Sequence, residues 1–150
     1  MTHPSEIPVF ERFFRSVAGI KIDKDDVRRF RDFIDEEIDA LAIAGRNAAR
    51  WNDRDMIYPQ DLPVTRGLQE RMREFDKLDE ANEVRDILRG QVRVPPADVT
   101  FNEDTEQLLP ELFGGLSVAL GRSSRIVDPK LANPSSEHWE RAFSLFRLVL

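Results

Sequence analysis

One uninterrupted amphipathic stretch, from Asp23 to Asn52, limits what this chain can fold into. Its apolar residues recur at alternating spacings of three and four and no proline interrupts them, which is the pattern of one long helix. Asp23 can act as the N-cap, and Ile22 can pack on Val27 as a hydrophobic staple. At about 1.5 Å per residue this helix would be roughly 43 Å long. Because that exceeds one side of a compact four-helix bundle made from so short a chain, we expect another long element to cross it.

A shorter helix is predicted on each side of the long one. Pro8 and Gly19 mark the two ends of the helix before it. Pro59 has the fixed φ that suits the first position of the helix after it. The apolar faces of these short helices are formed by Phe10, Phe13, Phe14 and Val17 before the long helix, and by Leu68, Met72 and Phe75 after it.

The second half of the chain repeats this order, with a second long helix predicted over residues 103–122. Gly19 with Lys21-Ile22 matches Gly90 with Arg93-Val94 about 71 residues later, and Ile57-Tyr58-Pro59 matches Val127-Asp128-Pro129 after 70. A period near half the chain length indicates two copies of one supersecondary unit. Pro110 lies inside the second long helix and should kink it or mark its true first turn.

Two crossing long helices would bury both apolar stripes in one core. Short parallel bridges should then link neighbouring loops of the two copies. The expected bridges are Ile20 to Ile22 with Ile126 and Val127, and Met56 to Tyr58 with either Val92 to Val94 or Thr100 and Phe101.

Composition restricts the function. The net charge of -6 gives no global attraction for nucleic acid or anionic lipid, and the absence of cysteine excludes disulfides and thiolate sites. No nucleophile and base stand at a recognisable spacing, so we expect neither an enzyme nor a cofactor, and no small-molecule substrate. No apolar run is long enough for a membrane span. We therefore expect a cytoplasmic protein that does not interact with membranes.

Three residues after the long helix resemble the histone fold. In the second loop of that family an Arg is followed three residues later by Ile or Val and seven residues later by an Asp, and Arg54, Ile57 and Asp61 stand at those spacings. A planar, permanently charged guanidinium paired with a carboxylate would fasten this loop to the next helix. We therefore expect a structural ion pair between Arg54 and Asp61.

The whole chain resembles a largely uncharacterised bacterial family in which two histone folds are fused in one polypeptide. The resemblance implies an all-α protein of tandem histone folds that form an intramolecular pseudodimer. Residues 1–75 would be the first copy and residues 76–150 a divergent second copy, with one shared core. Ser124 and Leu131 stand where Arg54 and Asp61 would be matched.

The same resemblance implies which residues would touch duplex DNA, because histones hold phosphates with the first helices and the loops. The candidates are Arg12, Arg15, Lys21, Lys24 and Arg54. The threonine of the family's second loop is replaced by Met56, and carboxylates at Asp53 and Asp55 would repel a phosphate. A nucleoid-associated location depends on this interpretation.

Other charged and aromatic residues have structural interpretations. Arg28, Arg29 and Arg31 alternate with carboxylates at helical spacing, which is typical of a solvated ion-pair face. The acidic residues from Asp35 to Asp39 lack the histidines and the tight loop of a metal site, so we expect no bound metal. Trp51 and Trp139 are expected in the core.

Two functions remain open. The favoured one is a protein-interaction or assembly module, binding another protein or itself, with at most weak nonspecific DNA binding. The alternative is a nucleoid-associated or regulatory DNA-binding protein of histone type. The fold does not decide between them.

Overall fold

The computed structural model describes residues 3–149, and the chain is mostly helical. A short, a long and a short helix occur in this order twice: α1 (Ile7–Ala18), α2 (Lys24–Trp51) and α3 (Arg66–Asp76), then α4 (Ala81–Arg89), α5 (Glu103–Val127) and α6 (Ser136–Val149). Single 3-10 turns lie at Pro4–Glu6 and Pro59–Asp61, and two-residue strands lie at β1 (Met56–Ile57) and β2 (Thr100–Phe101). Within residues 3–149, no helix has both the length and the apolar character needed to cross a bilayer.

The predicted start of α2 is confirmed. The Asp23 carboxylate accepts a hydrogen bond from the Asp26 N–H at 2.9 Å, and the Asp26 carboxylate accepts one from the Asp23 N–H at 2.9 Å. This reciprocal capping box satisfies two N–H groups that a helix end leaves without partners. Ile22 and Val27, the predicted hydrophobic staple, are both buried.

The two long helices pack on each other through an aromatic cluster that α1 completes. Phe30 of α2 and Phe113 of α5 lie 6.1 Å apart between ring centroids, and Phe10 of α1 lies 5.3 Å from the first and 6.2 Å from the second. Aromatic pairs at these distances contribute about 0.5–1.5 kcal/mol beyond the area that they bury. One buried cluster, from Val9 to Phe146, therefore includes residues of both halves.

Short helices also pack across the boundary between the halves. Phe75 of α3 lies over Gly114 of α5, where an added Cβ would stand 2.3 Å from the Phe75 ring. Phe143 of α6 stacks on Phe33 of α2 with ring centroids 4.1 Å apart. Each long helix is thus covered by a short helix from the other half.

One predicted bridge forms and the other does not. β1 and β2 are parallel, with Met56 opposite Thr100 and Ile57 opposite Phe101, which is the second of the two pairings expected. Ile126 and Val127 instead continue α5, because neither glycine nor proline follows Gly121 until Pro129. At that end the Lys21 N–H donates to the Ala132 carbonyl at 2.8 Å.

The repeat is less regular than its landmarks indicate. Five residues join α1 to α2, whereas thirteen join α4 to α5. The match of Lys21-Ile22 with Arg93-Val94 is therefore wrong, since the extra segment holds Arg93 and the pairing strand comes later at Thr100. This segment of residues 91–98 has no counterpart in the first half.

Two predicted helix starts need correction. Pro59 opens the 3-10 turn, whereas α3 begins after Thr65, whose hydroxyl caps it by accepting from the Leu68 N–H at 3.1 Å. Pro110 does not mark the first turn of α5, because Asn102 caps that helix and Pro110 lies well inside it. Pro63 ends the turn that Pro59 opens, because the residue before a proline avoids the helical region.

Trp139 is buried as predicted, but the expectation for Trp51 is wrong. Trp51 is 89% exposed and Trp139 only 1%. At 100° per residue, Trp51 is rotated about 200° from the buried Ala49 and points away from the core. The indole at the end of α2 is therefore open to solvent.

Replacing Gly114 with alanine tests the contact between α3 and α5. The new methyl group would overlap the buried Phe75 ring, so we expect the free energy of unfolding to fall by about 1–3 kcal/mol. Gly67→Ala is the matched control, because a Cβ there meets nothing closer than 3.9 Å. Urea unfolding followed by circular dichroism measures both. Equal stability of the two variants would contradict the packing described.

Candidate functional site

Arg54 is held by its own loop. Its guanidinium makes a two-point ion pair with the buried Asp61 carboxylate at 2.6 and 2.7 Å and donates to the Met56 carbonyl at 3.2 Å. It also lies over the Tyr58 ring, 5.1 Å from the centroid. Asp61 accepts a further bond from the Tyr58 N–H at 2.8 Å. This arrangement fastens the second loop and occupies three of the five N–H donors of the Arg54 guanidinium.

Carboxylates surround this loop. The exposed Asp53 and Asp55 flank Arg54 in the chain, and the pairing of β1 with β2 places the loop beside the N-terminus of α5. That end of α5 carries Glu103 and Asp104, both exposed. A phosphate approaching Arg54 would therefore meet an excess of negative charge.

The candidates on α1 are in a mixed environment. Arg12 forms an ion pair with Glu83 of α4 at 2.6 Å, with about half of each side chain exposed. Arg15 is exposed one turn later. Ser16 donates from its hydroxyl to the buried Glu80 carboxylate at 2.7 Å. The surface between α1 and α4 thus pairs bases with acids and is not a positive strip.

The remaining candidates, Lys21 and Lys24, are exposed near the first loop. The loop after α5 lies beside them, because the Lys21 N–H bonds to Ala132. Arg125 joins the two loops by donating to the carbonyl oxygens of Ala18, Pro129 and Leu131. With the exposed Lys130, this end of the molecule carries four basic side chains, and the carboxylates of Asp23, Asp25 and Asp128 lie among them.

The five candidates do not form one compact site. Lys24 and Arg54 lie at opposite ends of α2, whose 28 residues span roughly 42 Å. Arg12 and Arg15 lie on α1, which packs on α2 at Phe30. The structure therefore separates the proposed contacts into three places of different charge.

A groove that sequence reasoning missed runs between α2, the segment of residues 91–98 and the first half of α5. Its volume is about 1110 Å³. Apolar side chains at its base include Ile38, Leu109 and Phe113. The acidic residues that line it are Asp35, Asp39, Glu103, Glu106 and Glu111, and the basic ones are Arg89 and Arg93.

Arg93 fixes one wall of this groove. It forms ion pairs with Asp35 at 2.6 Å and with Asp39 at 2.8 Å. On both sides of it, Val92 is 94% and Val94 80% exposed. Two exposed valines thus lie on an anchored segment at the edge of the groove.

The structure gives new contacts for two charged stretches that were interpreted from the sequence. Arg31 does not belong to a solvated face, because it is buried, pairs with Glu6 at 3.0 Å and lies over Phe10. The acidic residues from Asp35 to Asp39 bind arginines of the second half, Arg93 and Arg147. Among the described residues, no group of three or more His, Cys, Asp or Glu side chains has a metal-binding arrangement.

Burial and hydrogen bonding shift the pKa values of several groups, among them Asp61, Asp26 and His138. The hydrogen bonds from Arg54 hold the pKa of Asp61 below its ordinary value. Burial raises the pKa of Asp26, which completes the capping box of α2 and accepts from the Trp139 indole N–H at 2.7 Å. Burial also lowers the pKa of His138. These groups serve the packing of loops and helices, since none of them lines the groove.

The role of Arg125 as the counterpart of Arg54 could have been predicted from the sequence. The offset of 71 residues between Gly19 and Gly90 carries Arg54 onto Arg125, whereas the offset of 70 used for the loop carries it onto Ser124. Ser124 is buried in α5. Arg93 had no comparable signal, because its partners Asp35 and Asp39 are more than fifty residues away in the chain.

Residues 10–147 match the model of a family described as a domain of unknown function (DUF1931). Two proteins of Aquifex aeolicus strain VF5, each called an uncharacterized protein, are similar to the chain. One is 25% identical over 116 residues, which is 77% of this chain and 68% of that protein. The other is 28% identical over 127 residues, covering 75% and 73%.

Two crystal structures have the same fold. A protein from Thermus thermophilus is 42% identical with a TM-score of 0.85, covering 96% of this chain and 97% of that one. A protein from Aquifex aeolicus is 23% identical with a TM-score of 0.85, covering 100% and 99%.

Replacing Asp61 with asparagine tests the loop ion pair. At pH 7 we expect a loss of about 2–4 kcal/mol, because Arg54 loses a buried charged partner. The folded-state pKa of Asp61 lies below its unfolded value. Its contribution is therefore complete above about pH 4 and is lost as the pH falls through the folded value. The difference between parent and variant should shrink in acid.

Thermal and urea unfolding between about pH 3 and 7 measure that difference. Asp55→Asn, an exposed change in the same loop, is the control and should alter stability by less than about 0.5 kcal/mol. A loss for Asp61→Asn that stays constant with pH would show that the charge of Asp61 is unimportant.

Proposed function

The chain belongs to the DUF1931 family, and we propose that it is a histone-type pseudodimer that acts as a protein-interaction or assembly module. It has no catalytic role in this proposal, and its binding to duplex DNA is weak and nonspecific. The proposal rests on the charges at the three places where a histone would contact DNA, which are the loop of Arg54, the surface of α1 and the end near Lys21.

The element order supports a histone-type arrangement. Each half runs short helix, long helix, short helix, and each second loop lies beside the first loop of the other half. At one end β1 pairs with β2, and at the other Lys21 bonds to Ala132. Residues 1–75 and 76–150 are then two copies folded on one core.

The charges argue against a DNA-binding role. Affinity for duplex DNA depends on several cations that neutralise phosphates. Arg54 is occupied by Asp61 and flanked by carboxylates, and Arg12 is paired with Glu83. The net charge of -6 opposes any remaining attraction. A histone-type fold whose DNA surface is neutralised retains the capacity to bind proteins.

The groove is where we place the protein contact. Arginines of this chain pair with three of its five carboxylates, Asp35, Asp39 and Glu111, so Glu103 and Glu106 supply its negative charge, and its base is apolar. Charge complementarity selects a partner segment that carries basic and apolar side chains. Val92 and Val94 provide the exposed apolar edge on which such a segment packs.

One end of the molecule favours the alternative of a nucleoid-associated DNA binder. Lys21 and Lys130 lie on adjoining loops there, and Lys24 and Arg125 lie at the adjacent ends of α2 and α5. Such a patch contacts few phosphates, so it supports only binding in the usual nonspecific range of about 10⁻⁴ to 10⁻⁶ M near physiological salt.

Titration of labelled duplex DNA at two salt concentrations distinguishes the two functions. We expect no binding tighter than about 10⁻⁶ M near physiological salt, because few phosphates are neutralised. The variant Arg12→Glu with Lys21→Glu removes two candidate contacts and should weaken what binding remains. Asp55→Lys is the converse change and should strengthen it. Submicromolar binding at about 0.15 M salt that disappears in the double variant would establish the DNA-binding alternative.

A synthetic labelled peptide of alternating leucine and lysine tests the groove. We expect it to bind the parent and to lose affinity on Val92→Asp with Val94→Asp, because these changes remove the apolar edge. Ile126→Asp is the matched control, since Ile126 is equally apolar and 73% exposed but does not line the groove. Fluorescence anisotropy measures the affinities. Equal losses in both variants would exclude the groove as the peptide site.

A further inference from the structure

The outer face of α2 is a continuous solvent-facing stripe. Its exposed residues recur every three or four positions, which places them on one side of the helix. Ile43 lies at its middle with 47% of its surface exposed, and Trp51 ends it with 89% exposed. The members of this outer stripe are Glu36, Asp39, Ala40, Ile43, Asn47, Arg50 and Trp51.

Charge is divided unequally along the same helix. Residues 32–39 carry five carboxylates and no basic side chain, whereas residues 40–52 carry Arg46 and Arg50 and no acidic one. Arg93 and Arg147 compensate part of the acidic group from within the chain. Glu36 and Asp39 nevertheless remain 68% and 61% exposed. The outer stripe is thus acidic before Ile43 and basic after it.

Such a stripe is complementary to itself in one orientation only. A second copy lying parallel would put acid against acid, whereas an antiparallel copy puts acid against base. With Ile43 at the centre, Glu36 of one copy stands opposite Arg50 of the other, and Asp39 stands beside Arg46. Both contacts occur twice because a two-fold interface repeats every pair.

We propose that two copies of this chain associate through the outer stripe of α2, antiparallel, with Ile43 on the two-fold axis. The two Ile43 side chains form the apolar centre, and each Trp51 lies over the acidic half of the partner helix. The inference adds a second surface, which shares only Asp39 with the groove, and it does not depend on the proposed function. Peptide binding at the groove and association at Ile43 are measured separately.

The size of the surface sets the strength of this association. From Glu36 to Arg50 the stripe spans about 21 Å. A standard interface buries about 800 Å² per partner, which is roughly a tenth of the 8698 Å² surface of this protein. One helix pair supplies less than that, so the dimer should be weak and should dissociate on dilution.

A single engineered cysteine tests the geometry, because the chain contains no cysteine of its own. On a two-fold axis a residue meets its own copy, and packed helices about 8–10 Å apart bring facing residues within reach of a disulfide. Ile43→Cys should therefore cross-link to a dimer under mild oxidation. Asp32→Cys is an exposed position on the same helix, and its two copies would lie roughly 33 Å apart along antiparallel helices. It should cross-link at least about tenfold more slowly.

A charge exchange tests the register without a covalent bond. Arg50→Glu and Glu36→Arg should each weaken the dimer at least about tenfold, because both place like charges opposite each other. Mixing the two variants restores both ion pairs, so a heterodimer should form at the parent's affinity. Sedimentation velocity over a dilution series measures the association, and thermal melting checks that each variant is folded. Equal cross-linking of Ile43→Cys and Asp32→Cys, or a mixture that associates no better than either variant alone, would falsify the proposal.

Discussion

The fold depends on covering a helix that is too long for its own half of the chain. α2 has 28 residues, and its own neighbours α1 and α3 are 12 and 11 residues long. The second half supplies α5 and α6, which pack on it through Phe113 and Phe143. In return α3 covers α5, where Gly114 admits the Phe75 ring. Because neither half can bury its long helix alone, the two halves make one core.

The sequence predicts the features that local chemistry controls. The cap at Asp23, the end of α1 at Gly19 and the Arg54 to Asp61 spacing each depend on residues a few positions apart. Features that depend on contacts with the other half are harder to predict from the sequence. The repeat period predicts that Arg93 lies in a bridge. A constant period takes no account of the longer connection, in which thirteen residues join α4 to α5. Periodicity also places Trp51 in the core, although the helical pattern weakens at a helix end.

The candidate site is harder to predict than the fold. Residue types alone nominate Arg12 and Arg54 as phosphate contacts, but an arginine contributes to DNA binding only when no nearby carboxylate occupies it. The partners Glu83 and Asp61 become evident only when α4 and the second loop are in place. The groove is formed by α2, α5 and the segment of residues 91–98 together, so no single stretch of sequence encodes it.

The two second loops are fastened by different chemistry. Arg54 holds its loop through a carboxylate, whereas Arg125 holds the corresponding loop through three backbone carbonyls, which do not titrate. Protonation of Asp61 therefore removes the ion pair of one loop, whereas the hydrogen bonds of Arg125 to backbone carbonyls persist in acid. The loop that Arg54 holds should lose its hydrogen-exchange protection in acid before the contacts of Arg125 break. A near-repeat in sequence thus gives two corresponding loops that respond differently to acid.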